Sequence, residues 1–114
     1  MGVGFASISI PHLSLQYIGI PVKASTLAGA AYDPTSDTVQ MAFMPTPTQV
    51  PGLSDWQVAI WATVTGNLVY PYAAFCLVGP GGTINPGIGN YIIYLRVTDN
   101  PEVPVLICGQ LAIS

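Results

Sequence analysis

The residues of this chain that could do chemistry are few, and they stand far apart. His12 is the only histidine, it follows a proline near the N-terminus, and no cysteine or carboxylate stands at ligand spacing from it. A metal site needs clustered ligands, and a nucleophile needs a base beside it. We therefore interpret His12 as a polar residue of the N-terminal segment rather than as a catalytic or metal-binding one.

Three aspartates and one glycine-rich segment are the remaining candidates for chemistry. Asp33, Asp37 and Asp55 offer the oxygen ligands that calcium prefers, but their spacing does not match a calcium-binding loop. The segment Gly79–Gly82 lacks the lysine and the hydroxyl residue of a phosphate-binding loop, so it predicts a turn. We therefore predict that the protein is not an enzyme and has no catalytic residue, no cofactor and no metal.

The low charge of the chain is its most informative property. Of its 114 residues only 6% are charged and 51% are hydrophobic, whereas about 25% are charged in an average protein. Nucleic-acid binding requires a surface rich in lysine and arginine. Lys23 and Arg96 are the only basic residues, so we exclude this class of function. No run of about 20 apolar residues is present, so we predict no membrane association. We expect the chain to stay inside the cell that makes it, with much of its surface covered by other proteins of an assembly.

The two cysteines, Cys76 and Cys108, both lie on predicted strands. In an immunoglobulin domain the disulfide brackets the core tryptophan in sequence, whereas Trp56 and Trp61 both precede Cys76 here. Free cysteine is among the most buried residue types. We therefore predict two buried thiols, although in principle the two residues could form a disulfide.

The strongest strand pattern in the chain spans residues 89–98. Alternate side chains fall on opposite sides of it, which is typical of a strand with one buried face. One face carries Tyr91, Ile93, Leu95 and Val97. A turn at Asp99–Pro101 and a second run over Val103–Ile113 follow, so the C-terminal third predicts a β-hairpin.

Turn residues at short intervals divide the rest of the chain into further strands. These predicted strands are Leu13–Val22, Thr38–Met44, Trp56–Val64 and Leu68–Val78, the last two forming a hairpin. About seven short strands without a convincing helix are typical of an antiparallel β-sandwich of the immunoglobulin-like kind. We predict a single sandwich domain over residues 13–114 and an extended N-terminal arm over residues 1–12.

The N-terminal arm is apolar and uncharged, and Phe5, Ile8 and Ile10 are its large side chains. Added to the edge of a neighbour's sheet, it would pair its backbone groups and bury its isoleucines. It could equally form an edge strand of its own domain. The sequence leaves both roles open.

Both faces of several predicted strands are apolar. Trp61 lies opposite Val58, and Tyr94 lies opposite Ile93. One face of each strand can fill the core, whereas the other must be covered, because exposed apolar patches usually mark protein contacts. The sequence therefore predicts a subunit interface.

Polar and aromatic side chains leave two alternatives open. Arg96 can pair with Glu102 across the hairpin, or it can bind a carboxylate of a neighbouring subunit. The aromatic rings can belong to the core and the interface, or they can line a sugar-binding face. The rings concerned are Trp56, Trp61, Tyr70, Tyr72, Tyr91 and Tyr94.

Several motifs of the chain resemble one known family. The run Tyr91–Val105, followed by Cys108–Ser114, resembles the ending of small proteins encoded among the virion structural genes of tailed phages that infect actinobacteria. Similar proteins carry a D-P-T turn, a V-x-M-A-F-M strand, a D-W strand entry and a V-G-P-G-G turn. Here these motifs are Asp33–Thr35, Val39–Met44, Asp55–Trp56 and Val78–Gly82. The resemblance covers most of residues 13–114.

The resemblance implies an immunoglobulin-like structural protein of the virion, assembled in the host cytoplasm. We expect a head decoration or minor head protein that binds the major capsid protein and copies of itself. A neck or tail component and a carbohydrate-binding display module are the alternatives. The chain departs from the family where Leu106 and Ile107 replace arginines, which favours a buried contact there. The predicted interface residues are Phe5, Ile8, Ile10, Trp61, Tyr94, Arg96 and Leu106.

Overall fold

The chain folds into two β-sheets. The computed structural model describes residues 2–3, 6–23, 37–45, 51–52, 54–63, 72–98, 103 and 105–114. In these ranges the strands are β1 (Gly2–Val3), β2 (Ala6–Ile10), β3 (Gln16–Lys23), β4 (Thr38–Met44), β5 (Gln57–Val58), β6 (Ile60–Thr63), β7 (Tyr72–Val78), β8 (Gly89–Thr98) and β9 (Val105–Ile113). One sheet has the order β1-β3-β7-β6 and the other the order β2-β9-β8-β4-β5. The prediction of an all-β sandwich is confirmed.

The core lies between the two sheets and is made by alternate residues of the long strands. Ile18, Ile20 and Val22 of β3 and Ile93 and Leu95 of β8 are each no more than 1% exposed. Among the described residues no polar or charged side chain is buried. The predicted alternation of β8 is confirmed. On β3 the side that carries Ile18 fills the core, so the opposite side faces outward.

The strands of both predicted hairpins pair antiparallel, and residues 64–71 between β6 and β7 lie outside the described residues. β8 pairs antiparallel with β9 from Gly89 opposite Ile113 to Arg96 opposite Val105. β7 pairs antiparallel with β6 and also with β3. The turn predicted at residues 99–101 lies outside the described residues.

The strand predicted over residues 56–64 is split into β5 and β6. β5 pairs with β4 in the five-stranded sheet, whereas β6 pairs with β7 in the four-stranded sheet. The change of sheet occurs at Ala59, whose N–H donates to the carbonyl of Val39 at 3.2 Å. Ala59 is buried, and its small side chain suits the point at which the chain crosses from one sheet to the other.

The N-terminal segment is divided between the two sheets of its own chain. β1 pairs with the end of β3, and β2 pairs with β9 in parallel, from Ala6 opposite Gly109 to Ile10 opposite Ile113. Of the two roles left open by the sequence, β2 therefore takes that of an edge strand of its own domain. Its parallel pairing departs from the predicted antiparallel pattern.

The strand order is compatible with an immunoglobulin-like sandwich. In that fold strands A, B, E and D form one sheet, and C, F and G form the core of the other. β1, β3, β7 and β6 occupy the first set of positions, and β4, β8 and β9 the second. Tyr91 lies near the start of β8, and its hydroxyl donates to the carbonyls of Pro86 and Gly87 at 2.6 and 3.1 Å. This contact has the form of the tyrosine corner of immunoglobulin-like domains.

A β-bulge in β9 explains where one cysteine lies. The register shifts between Ile93 and Tyr94, which face Gly109 and Ile107, so Cys108 is the extra residue. Its Sγ donates to the carbonyl of Ile93 at 3.3 Å. The thiol thus binds a backbone carbonyl of the strand facing the bulge.

Candidate interaction surfaces

The residues considered for chemistry have structural contacts instead. The Nδ1 of His12 binds the carbonyl of Ser114 at 2.9 Å, beside a backbone hydrogen bond between the same two residues. Asp55 closes a turn, because its Oδ2 accepts from the N–H of Gly52 at 2.8 Å. Asp33 lies outside the described residues. In the part of the chain that the structure describes, no cluster of three histidine, cysteine or acidic residues could hold a metal.

Both cysteines are free and buried, as predicted. Cys76 is 1% exposed and Cys108 is fully buried, and each lies in the core between the sheets. Burial raises the pKa of Cys76 to about 11 and the pKa of Cys108 to about 12. A thiol of this kind is protonated at neutral pH and is a poor nucleophile.

The outer face of the four-stranded sheet, which we call the ABED face, carries apolar side chains. It is exposed at Tyr17 and Ile60, whereas Ala73 is only 6% exposed. It has three cross-strand rows. The first pairs Tyr17 with Leu77, the second aligns Gly19, Phe75 and Ile60, and the third aligns Pro21, Ala73 and Ala62. Bulky side chains therefore occupy one end of the face and small ones the other.

Two aromatic rings and a glycine shape the bulky end of the ABED face. The rings of Tyr17 and Phe75 meet edge to face, with centroids 6.4 Å apart and an interplanar angle of 88°. Phe75 lies over Gly19, where an added Cβ would come within 2.4 Å of the Phe75 Cε1 atom. Tyr17, Phe75 and Ile60 line a shallow recess of about 250 Å³. Tyr17 is 58% and Ile60 52% exposed, so this end offers apolar surface to a partner.

The outer face of the five-stranded sheet, here the GFC face, carries one fixed cation among apolar side chains. Val58, Gln40, Arg96 and Val105 form a single row across β5, β4, β8 and β9. Val58 and Val105 are 69% and 48% exposed, and Ile107 in the next row is 57% exposed. Arg96 therefore lies between exposed apolar groups.

Two contacts hold the guanidinium of Arg96. Its Nε donates to the Oε1 of Gln40 at 2.9 Å, and its Nη2 donates to the same oxygen. Its Cζ lies 4.6 Å from the centroid of the Trp56 ring. A cation over an indole face is attracted by the negative face of the ring. Arg96 is thus oriented in advance, which lowers the entropy that it would lose on binding a carboxylate.

The predicted interface residues that the structure describes fall into three groups. Ile10 is 4% and Tyr94 6% exposed, so neither offers a free surface. Ile8 and Trp61 pack against the core, and the Nε1 of Trp61 donates to the carbonyl of Asp37 at 2.8 Å. Arg96 is partly exposed on the GFC face, and Leu106 is half-buried on β9. Phe5 lies outside the described residues.

The aromatic rings considered for sugar binding do not form one platform. Trp56 packs against the cluster of Ala42, Met44 and Tyr94, whereas Trp61 and Tyr91 contact the main core. Tyr70 lies outside the described residues. The rings are therefore distributed over different layers of the sandwich.

The exposed residues of the ABED face were not among the predicted interface residues. On β6 the sequence pattern singled out Trp61, but its neighbour Ile60 faces outward. The alternation of Tyr17 with Ile18 on β3 was a usable signal, because only one of the two sides can face the core. The sequence did not show which of the two sides of β3 faces the core.

Comparisons with protein-family models, with curated proteins and with solved structures give no match to this chain. Among the residues that the structure describes, no helix is long and apolar enough to cross a membrane. What the two faces bind must therefore be inferred from their own geometry.

Proposed function

We propose that this chain is a non-enzymatic structural protein of a tailed-phage virion, a head decoration or minor head protein that stabilises the assembled shell. The sequence resemblance supports the virion as its location. A neck or tail component is the alternative within the same structural class. Its partners in either case are other virion proteins, including further copies of the chain.

The observation that carries this proposal is that both outer faces of the sandwich expose large apolar side chains. Ile60 lies on the ABED face, and Val58 and Ile107 lie on the GFC face, each of them more than half exposed. A free soluble domain normally carries charge at such positions, whereas only 6% of this chain is charged. Covering these side chains with protein removes apolar area from water and stabilises the assembled state.

On the GFC face the partner surface is expected to combine apolar groups with a carboxylate. Arg96 lies between Val105 and Gln40 in its row, and because its Nε and Nη2 already donate to Gln40, the Nη1 side of its guanidinium is the part that it offers to a partner. A planar guanidinium matches a carboxylate with two parallel hydrogen bonds. The apolar groups around it exclude water from that contact, as the surroundings of an interface hot spot do. This arrangement suits a clamp that docks on a subunit of the shell.

Incorporation into particles tests this assignment of the GFC face. We expect Ile107→Glu and Arg96→Glu to lower the number of copies per particle by at least about tenfold, because each places an unpaired negative charge in the contact. Thr83→Glu, in the exposed turn after β7, is the matched control and should enter particles normally. Copies are counted by quantitative mass spectrometry of purified particles. Equal incorporation of all three variants would contradict the proposal.

A further inference from the structure

One edge of the five-stranded sheet is open to a further strand. β2 is the last strand of this sheet, and among the strands that the structure describes none pairs with its other side. Its sequence, Ala6–Ile10, has no charged residue and no proline, which are common protections of an exposed edge. The other edge strands are shorter, with two residues in β1, two in β5 and four in β6. β2 is therefore the longest edge strand in the described part of the chain.

Two hydrogen bonds beside β2 show which of its backbone groups point outward. The carbonyl of Ile10 accepts from the N–H of Ser114 at 3.0 Å, and the N–H of His12 donates to the carbonyl of Ser114 at 2.7 Å. The N–H and C=O of one strand residue point to the same side, and successive residues alternate. Ile10 therefore directs both groups to β9, as does every second residue before it. Ser7 and Ser9 direct theirs to the free side of the edge.

The side chains of β2 alternate between the core and solvent. Ile10 is 4% exposed and Ile8 packs partly buried against the core, whereas Ser7 and Ser9 are exposed on the other side of the strand. A strand added to this edge should place apolar side chains beside Ile8 and small polar ones beside the serines. β2 itself has this pattern, so a second copy of the chain supplies a fitting strand.

We propose that β2 pairs antiparallel with β2 of a second copy, about a two-fold axis that passes beside Ile8 and stands perpendicular to the sheet. In an antiparallel pair, opposite residues that exchange two hydrogen bonds alternate with opposite residues that exchange none. Ser7 then lies opposite Ser9 of the second copy, and Ser9 opposite Ser7, so that both serines use their outward N–H and C=O groups. The two Ile8 side chains meet on the core side, with Cα atoms about 4.5 Å apart.

Pro11 disfavours the register that is shifted by one step toward the C-terminal end of β2. In that register Ser9 would face its own copy and Ser7 would face Pro11, which has no N–H and whose carbonyl accepts from the N–H of Ser14 at 3.0 Å. A pairing that placed serines opposite isoleucines would mix the two sides of the strand and turn the outward groups away from each other. Of these registers, the one centred on Ile8 is the one that satisfies both serines.

This dimer goes beyond the proposed function and does not depend on it. An added strand extends the sheet in its own plane, so the two five-stranded sheets become one continuous sheet and the GFC face of each copy stays open. Pairing at an edge takes its affinity from main-chain hydrogen bonds rather than from a large apolar area. A weak dimer whose population rises with concentration is therefore expected.

Sedimentation equilibrium of the purified chain tests the dimer with two variants at one position. Ser9→Pro removes an outward N–H that faces solvent in the monomer, where proline is compatible with an edge strand. It should raise the dissociation constant by at least about tenfold, because by symmetry it deletes two of the hydrogen bonds between the copies. Ser9→Ala keeps the backbone and should dimerise like the wild type. Near-UV circular dichroism of each variant verifies that it is folded.

Disulfide cross-linking tests the register without changing a backbone donor. Chains with Ser7→Cys and chains with Ser9→Cys should form a mixed disulfide dimer when they are combined, because the opposite Cα atoms lie about 5.5 Å apart. Either variant alone should cross-link at least about tenfold more slowly, since its two introduced thiols lie diagonally across the strands. Cys76 and Cys108 are buried and their pKa values are raised, so they give little background.

Three results would overturn the dimer. They are a wild-type chain that stays monomeric up to about 1 mM, a folded Ser9→Pro chain that dimerises as well as Ser9→Ala, and a mixture of the two cysteine variants that cross-links no faster than either alone. A monomeric chain that still enters particles would overturn the dimer and leave the proposed virion role standing. A chain that dimerises through β2 and is absent from particles would support the dimer and refute the virion role.

Discussion

At the scale of single residues, one hydroxyl group links the segment before β8 to the core of the sandwich. The Tyr91 hydroxyl donates to Pro86 and Gly87, while its ring packs against the main core. In antibody domains the residue two positions further on is the second core cysteine, and here it is the buried Ile93. The Tyr91 contact thus stands on a core whose two cysteines are free, so hydrogen bonding and apolar packing must hold this part of the fold.

We predict that Tyr91→Phe lowers the free energy of unfolding by about 1–2 kcal/mol, because it leaves two backbone carbonyls without their donor. Urea denaturation followed by tryptophan fluorescence measures the change. Tyr17→Phe is the control, since Tyr17 is 58% exposed, and it should alter stability by less than about 0.5 kcal/mol. Equal effects of the two substitutions would show that the corner does not stabilise the fold.

The buried thiols predict a loss of stability at alkaline pH. Their pKa values are raised to about 11 for Cys76 and about 12 for Cys108, whereas the unfolded chain has ordinary thiols with a pKa near 9. Between those values the unfolded state releases protons that the folded state keeps. Stability is therefore complete below about pH 9 and falls by up to about 1.4 kcal/mol per pH unit for each thiol above it.

The double variant Cys76→Ala, Cys108→Ala isolates this effect from the titration of tyrosine and lysine. Its free energy of unfolding should fall less steeply from about pH 9 to about pH 11 than that of the wild type. Denaturation curves under reducing conditions at several pH values give the two slopes. Equal slopes for the wild type and the double variant would mean that the two thiols have the same pKa values in the folded and unfolded states.

At the scale of elements, the sequence was most informative where a strand has one apolar face and clear ends. Thr38–Met44 has the predicted bounds as β4, and the predicted alternation of β8 is correct. The split at Ala59 was not predictable, because whether a chain changes sheets depends on what lies on either side of it. The parallel partner of β2 was not predictable either, since alternation within a strand does not identify its neighbour.

Two matched substitutions test the placement of β2 in its own domain. Ile10 is 4% exposed and packs in the main core, whereas Ser9 is exposed on the same strand. We expect Ile10→Ala to cost about 2–4 kcal/mol of unfolding free energy in the isolated chain and Ser9→Ala to cost almost nothing. If β2 instead joined a neighbour's sheet, the isolated chain would tolerate Ile10→Ala as well as Ser9→Ala.

At the scale of the whole molecule, both outer faces of the sandwich expose large apolar side chains. The proposed clamp uses the GFC face, through Arg96 and its apolar neighbours. The low charge of the chain predicted that such surfaces exist. It did not predict where they lie, since Val58, Ile60 and Trp61 are all apolar and only the fold determines which of them faces out.

The measurement that tests the proposed virion role most directly is averaging electron microscopy of particles purified from cells that make this chain. We predict density for an 11.9 kDa β-sandwich repeated across the shell, with its GFC face against a capsid subunit. Density restricted to a ring or fibre at one vertex would move the protein to the neck or tail. Particles that lack the chain altogether would contradict the structural role.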